Sequence, residues 1–444
     1  MNKSIVRKTI AFTLLFCALC NVSLFAEAGA VTVLTVEDAV AYALDNSRTL
    51  QSAVIDLEIK TRAKNNAWNV FIPSVQATGT MSRSNEVMYN PMPTEKDHWT
   101  AVGGVSANLN LSLALIDGIR ATKANYEAGL LTWDQTVKET ELNVRKMFYA
   151  LLLQQESLLL QTKSLANAQQ RVKQAEVNYR NGIIPELSLL QTQVSFENQK
   201  PVVLKQAQSL QQQLDMFAFL IGLPSDSIIQ LEGKIEPTFV EELKAEDLIA
   251  KHMQYRLDLG ALEKNIELLN ISKSASEKQI YTPALALSYS FQPVVTDIKE
   301  NWFDNDNWND NGSFSVTLAW NLTNMLPFSS ARQKVTDTKA QITQLELTLG
   351  TLQLNAEMEI RKLVDSLNQS KSAIEASRQS ITLAQKSYDL TVIAYQNGTT
   401  ELLDLRDAEN QLNQAKLGLA SEQYNYLSGL LDLEYSLNTK LGEK

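Results

Sequence analysis

Histidine and cysteine are nearly missing from this chain of 444 residues, which has two of each. The histidines are His98 and His252, too few for a histidine-based metal site or a Ser-His relay. The cysteines, Cys17 and Cys20, both fall in an N-terminal leader. A mature chain without them has no disulfide, no thiolate nucleophile and no Cys-based zinc site. Glycine (16) and proline (10) are scarce for this length, so the turns of an all-β fold cannot be supplied and long helices are expected. A basic balance is missing as well. The formal charge is −10 with no basic stripe, which argues against nucleic acid as a partner. No Walker A or dinucleotide fingerprint occurs. The sequence thus points to no catalytic residue, no metal and no cofactor, and away from enzymes.

The leader reads MNKSIVRKTIAFTLLFCALCNVSLFAEAGA. Lys3, Arg7 and Lys8 form a positive start, and Ile10 to Leu19 is an apolar core too short to stay across a bilayer. Small residues follow, so a secretory signal over 1–28 with cleavage near 26–30 is expected. Phe16 and Leu19 are larger than the small residue that normally precedes a lipid-modified cysteine. Loss of Lys3, Arg7 and Lys8 takes the formal charge from −10 to −13. No later segment has 18 apolar residues in a row, so the exported chain carries no helical membrane anchor.

The chain repeats once. YRNGIIPELSLLQTQVSFENQK from Tyr179 answers YQNGTTELLDLRDAENQLNQAK from Tyr395, 216 positions later. ELNVRK from Glu141 answers EMEIRK from Glu357 at the same offset. Pro73 answers Pro283 and Glu37-Asp38 answers Glu246-Asp247, at offsets of 210 and 209. The expected halves are 29–235 and 236–444, each a helix, two strands and long helices, joined through the turn-rich stretch GLPSDSIIQLEGKIEP.

Each half holds two segments with period-two alternation: Pro73 to Ser84, Val105 to Leu113, Pro283 to Phe291 and Ser313 to Leu322. Alternation gives each strand one apolar and one polar face. Runs of ~9–11 residues fit a tilted membrane-crossing strand, although a small soluble sheet fits the same pattern. Trp99, Tyr289, Phe291 and Trp320 near strand ends suit an aromatic girdle. Two loops between strands, Asn85 to Thr100 and an acidic one from Thr296 to Gly312, are expected to face outward.

The rest reads as helix. Arg120 to about Asn181, and Ala331 to Asn397, contain no proline and little glycine. At ~1.5 Å per residue each rod reaches ~90–100 Å. Ile342, Leu345, Leu349, Leu352, Ala356, then Ile360, Leu363, Leu367, Ile374 and Ile381 keep a coiled-coil beat with one slip. Leu405, Leu412, Leu419, Tyr426, Leu430, Leu433 and Leu437 supply the partner seam. Thr35 with Asp38 marks the start of a shorter first helix.

Four strands cannot close a barrel, for which about eight is the minimum. An open sheet in lipid would leave on the order of ten backbone groups unpaired on each edge, a cost of tens of kcal/mol. Copies must therefore share one barrel. Two copies give eight strands and a filled interior; three give twelve and room for a lumen, which is the arrangement favoured here.

The sequence resembles the TolC-like outer-membrane efflux protein family over nearly the whole mature chain. YQNGTTELLDLRDAENQLNQAK resembles that family's Tyr-x-x-Gly turn and following helix. FLIGLP from Phe219 resembles the segment closing its first half, and ALIDGIR from Ala114 its strand-to-helix junction. LTVEDAVAYALDNS resembles its N-terminal helix. The resemblance implies a homotrimer in the outer membrane, with a twelve-stranded barrel continued by an α-helical periplasmic tunnel. It implies an exit duct for an inner-membrane transporter, joined through a periplasmic adaptor (membrane fusion protein), and no catalysis. A non-conducting exported coiled-coil spacer or adaptor is the alternative.

The resemblance also places residues. Asp404 and Asp407 fall where relatives carry acidic rings at the inner mouth, and Thr400 where some carry a basic latch. At i and i+3 the two acids share a helix face. In a threefold ring, two charges ~8 Å apart repel by ~2 kcal/mol at an effective dielectric near 20, which favours bound or passing cations. The first-half match of Asp404 is Ser188. Gly182 with Ile183, and Gly398 with Thr399, sit at Asn-Gly turns that suit helix C-caps. The resemblance makes these tips the docking points of the adaptor.

Overall fold

The computed structural model describes residues 31–83, 99–224, 227–240, 243–295 and 309–441. The expected leader (1–28), its cleavage region and the greater part of both outer loops lie outside them. In chain order the described elements begin with β1 (Val31–Leu34), α1 (Val36–Asn46), α2 (Arg48–Asn65), β2 (Ser74–Arg83) and β3 (Trp99–Leu111). Then come α3 (Ala114–Arg180), α4 (Glu186–Ile221), β4 (Ile228–Leu231), α5 (Ala245–His252) and α6 (Leu257–Tyr281). The chain continues with β5 (Ala284–Phe291), β6 (Pro293–Val295), β7 (Asn309–Asp310), β8 (Ser313–Ala319), α7 (Ser330–Gln396) and α8 (Leu402–Leu437).

The duplication survives in these bounds. α3 and α7 each have 67 residues, and α4 and α8 each have 36. All four matching ends are 216 positions apart. β2, β5 and β8 begin and end within three residues of the alternating segments, whereas β3 starts at Trp99, six residues before the expected Val105 and within the stretch expected to be loop. The second half interrupts its two strands, between β5 and β6 at Gln292 and between β7 and β8 at Asn311 and Gly312. There Asp310 Oδ1 accepts from Gln292 N–H (3.0 Å) and Gly312 N–H (2.7 Å), which occupies the side chain where the ladder breaks.

Two compact units can be described. The first comprises residues 1–48, 139–241 and 365–432, of which the described part carries β1, α1 and the hairpin ends of the long helices. α1 starts at a capping box: Thr35 Oγ1 accepts from Asp38 N–H, and the Asp38 carboxylate accepts from Thr35 N–H. The Thr35 hydroxyl, which donates to Asp38 Oδ2 at 2.6 Å, and then the Thr35 N–H hold the Asp38 carboxyl below the usual range. Ala39, Val40 and Ala43 of α1 bury against Val144, Phe148 and Leu151 of α3 and Leu210, Leu214, Phe217 and Ile221 of α4. Phe148 and Phe217 meet edge to face at 6.1 Å. β1 and β4 pair in parallel, Val31 with Ile228 through Leu34 with Leu231, and bring Ile229 and Leu231 into this core. The stretch expected to serve only as a linker therefore contains a strand. Its alternate residues Ile229 and Leu231 are buried and Ile228 is exposed, which gives IIQL a reason to be extended.

The second unit comprises 49–138, 242–364 and 433–444, and its described part holds the larger sheet. β3 pairs with β2 on one side and with β5 and β6 on the other, and β5 pairs with β8. All four pairings are antiparallel. Directly opposed residues share a face, so the register stacks Val75, Ala107, Tyr289 and Phe314 on one side of the sheet. Met81, Val105, Leu109, Leu287, Val316 and Leu318 lie on that same face. Gln76, Thr78, Ser106, Asn108, Ser288 and Ser315 lie on the other, where Ser288 Oγ donates to Asn108 Oδ1 at 2.7 Å. On the apolar face Val75, Phe314, Val316 and Leu318 are all exposed.

The coiled-coil seam is buried at part of the expected positions, while Leu345, Leu349, Leu352, Leu363, Ile381 and Leu419 are half-buried. Ile342, Ala356, Ile360, Leu367 and Ile374 of α7 are buried, as are Leu405, Leu412, Tyr426, Leu430, Leu433 and Leu437 of α8. Charged groups lock the strand-to-helix junction at ALIDGIR. The Asp117 side chain is 1% exposed and accepts from Ser274 Oγ and Lys278 Nζ, both at 2.8 Å. Burial pushes its carboxyl upward, but those two hydrogen bonds and the charges of Lys278 and Arg120 outweigh that and hold it below the usual range.

Candidate functional site

The two hairpin tips are built alike. α3 ends at Arg180, and Gly182 turns the chain with φ of +71° before α4 starts. α7 ends at Gln396, and Gly398 turns it with φ of +73° before α8. At the first tip Ile183 N–H donates to Asn178 O and Gly182 N–H to Tyr179 O, both at 2.9 Å. At the second, Thr399 N–H donates to Ala394 O at 2.9 Å and Gly398 N–H to Tyr395 O at 3.0 Å. This 6→1 and 5→2 pair of bonds closes a helix through a left-handed residue. The same closure ends α4 at Gly222 and α8 at Asn438. These four positions form two pairs 216 residues apart. Gly182, Ile183, Gly398 and Thr399 are all exposed at the tips.

The acidic residues open α8. Thr400 Oγ1 donates to Asp404 Oδ2 at 2.5 Å, and Glu401 N–H reaches the same oxygen at 3.3 Å. Asp404 therefore closes the first turn of its helix, at the end where the backbone dipole favours an anion. It remains exposed, as does Asp407 three residues later, whose carboxylate lies 3.9 Å from Arg406 Nε. At that exposure and distance the contact neutralises little of the Asp407 charge. The structure thus joins Thr400 to Asp404 and leaves Asp407 presented beside them. At the first tip Ser188 stands in the matching place and donates its N–H to Pro185 O at 3.1 Å.

Sequence reading missed the charge behind these acids. The Glu409 side chain is 5% exposed and pairs with Arg171 Nη1 of α3 at 2.9 Å. Its other oxygen accepts from Asn167 Nδ2, also at 2.9 Å. Burial, and then the Glu409 charge, push the nearby Tyr388 hydroxyl upward. Arg171 and Glu409 lie eleven residues from Gly182 and Gly398, on α3 and α8. The duplication places Ser387 and Gln193 at the matching positions, so the second hairpin contact has no such pair. Only that broken symmetry, a charged pair answered by a neutral one, signals it in the sequence. A shallow groove of about 650 Å³ opens between α7 and α8 beyond Asp407, over Ala376, Ser380, Ala384, Gln411 and Ala415. Among the described residues no group of three or more His, Cys, Asp or Glu is arranged to hold a metal.

A two-faced strand sheet joined to long paired helices, with acids at one helical tip, is a channel-type fold. The outer membrane efflux protein model matches residues 27–223 and 248–439, and the chain belongs to that family. The TolC outer membrane protein of Escherichia coli (strain K12) is 36% identical over 80 residues, 18% of this chain. The chain spans only 16% of that protein's length, and of the Salmonella enteritidis TolC likewise. TolC of Vibrio cholerae is 21% identical over 410 residues, 89% of each chain. Among solved structures, the Campylobacter jejuni CmeC outer membrane channel is 14% identical with a TM-score of 0.77, covering 92% of this chain and 87% of its own. The VceC outer membrane protein of Vibrio cholerae is 18% identical with a TM-score of 0.73, covering 91% and 96%. These likenesses establish the fold.

Proposed function

We propose that three copies of this chain form an outer-membrane exit duct of a tripartite efflux or type I secretion system. The duct works with an inner-membrane transporter and a periplasmic adaptor, takes no nucleic acid and catalyses nothing. One observation carries this reading. The sheet has an exposed apolar face and a polar face, yet among the described residues β2 pairs only with β3 and β8 only with β5. Such a sheet cannot rest in lipid with two open edges. β2 and β8 run antiparallel to each other through the intervening strands, as the ring of a closed barrel needs. Three copies make twelve strands with the apolar face toward outer-membrane lipid and the polar face toward a lumen. Behind the leader over 1–28, the halves 29–235 and 236–444 each supply two strands and one helical hairpin.

Asp404 and Asp407 form acidic rings at the inner mouth, and Thr400 braces Asp404. Gly182, Ile183, Gly398 and Thr399 are the tips on which the adaptor docks. Cation-selective conductance of the purified protein in planar bilayers tests the duct; a protein that binds lipid but never conducts leaves the spacer alternative standing. Asp404→Ala with Asp407→Ala should weaken cation selectivity and cation block. Unchanged selectivity in a conducting double variant removes the acidic mouth from the proposal.

A further inference from the structure

The four strand-to-helix junctions at the lower end of the sheet fall into two kinds. The inner two, where β3 enters α3 and α6 enters β5, are tied together by buried polar contacts, although Leu113, Ile116 and Tyr281 there are 52%, 46% and 47% exposed. Asp117 there bonds Ser274 and Lys278, Ile280 is 2% exposed, and its carbonyl accepts from Trp320 Nε1 at 3.2 Å. The outer two flank the edge strands and are apolar and open. Before β2, Trp68, Phe71 and Ile72 are 58%, 47% and 50% exposed. After β8, Leu322, Leu326 and Phe328 are 61%, 42% and 84% exposed. Clusters of large apolar side chains left in the open mark an interaction surface.

We infer that these two patches are partners of each other across copies: Trp68 to Ile72 of one copy packs on Leu322 to Phe328 of the next, forming an apolar clamp beneath each barrel seam. The inference rests on the shared barrel proposed above. Continuity carries it. The patches abut the lower ends of β2 and β8, the two strands that must pair between copies, and pairing those edges brings one patch against the other. Within one chain they sit on opposite edges, about three strand spacings or ~14 Å apart, and do not cover each other.

Cross-linking tests this directly, because the only cysteines, Cys17 and Cys20, lie in the leader. Phe71→Cys with Phe328→Cys is expressed in the full chain and treated in outer membranes with a short bismaleimide. The expected result is a ladder of covalent dimers and trimers from the double variant, with each single variant staying at monomer size on a denaturing gel. As a second readout, Trp68→Asn with Phe328→Asn should lower the temperature at which the assembly falls apart in detergent, while Leu354→Asn, equally exposed on α7, should not. An intact trimer that gives no ladder overturns the clamp and turns the patches to lipid. A protein of monomer size before any cross-linking overturns the shared barrel itself.

Discussion

The two helical hairpins have the same length and the same closures, yet they are anchored differently. In the first, Arg145 is held by Glu37 at 2.8 Å to both oxygens and by Glu141 at 2.9 Å, with a side chain 16% exposed. Burial works against its charge, but these two carboxylates more than compensate and raise its pKa. In the second, the matching Arg361 lies 3.9 Å from Glu246 and 3.6 Å from Glu357, and is 49% exposed. The motifs ELNVRK and EMEIRK share their Glu, Arg and Lys in the same places, so the difference at the arginine comes from what covers it. The first copy sits among α1 and the Phe148–Phe217 core; the second copy does not. A duplicated motif predicts which residues meet, and its surroundings decide how much the meeting matters.

That contrast can be broken in graded steps. The largest effect is expected at Arg171 and Glu409, which have no charged counterpart in the other hairpin contact. Glu409→Leu alone strands a buried guanidinium and should cost about 3–5 kcal/mol, whereas Arg171→Leu with Glu409→Leu should recover most of it. Chemical denaturation of both variants checks this; equal losses would mean that packing rather than charge dominates. Next is Gly222→Ala. Its φ is +85°, and a Cβ there would stand 2.6 Å from the backbone oxygen of Asn46, so about 2–4 kcal/mol should be lost. The matching Asn438 tolerates a side chain, donates to Tyr255 O at 3.0 Å and accepts from Lys138. Asn438→Ala should cost about 1–2 kcal/mol. Arg145→Met should then destabilise by about 1–3 kcal/mol, and Arg361→Met by under about 0.5. Thermal melting of the pair sharpens or erases the comparison.

The smallest effect concerns pH. Asp117 and Asp258 both have carboxyls held below the usual range. For each, burial acts first and upward but is outweighed, in Asp117 by Lys278 and Ser274 and in Asp258 by Arg256. A depressed carboxyl contributes stability that is complete above its unfolded pKa of about 4 and lost as pH falls through its lower folded value. Asp117→Asn should therefore flatten the fall in stability as pH drops below about 4. A slope unchanged from that of the parent would assign the acid sensitivity to other groups.

Much of this architecture was legible in the chain itself. Alternation located β2, β5 and β8 to within three residues, because each has one face that must stay apolar, but missed the first six residues of β3, where Gly103 and Gly104 interrupt the pattern. Asn-Gly dipeptides marked the tips, because only a residue tolerant of positive φ closes a helix that way. Thr35 and Asp38 gave the start of α1. What stayed hidden depends on distant partners. β1 and β4 are four residues each and exist only because they pair with one another over the Phe217 core. Asp117 was visible in its motif, but its partners Ser274 and Lys278 lie more than 150 residues away. At the tip, the sequence placed Asp404 and Thr400 near each other; it did not reveal that their hydroxyl–carboxylate bond also starts a helix.

The matched lengths of α3 with α7, and of α4 with α8, act as a gauge on what can be inserted or deleted. A heptad added to both arms of one hairpin alone would push its turn roughly 10 Å beyond its twin. Length changes in this scaffold are therefore expected to arrive in concert, four arms at a time.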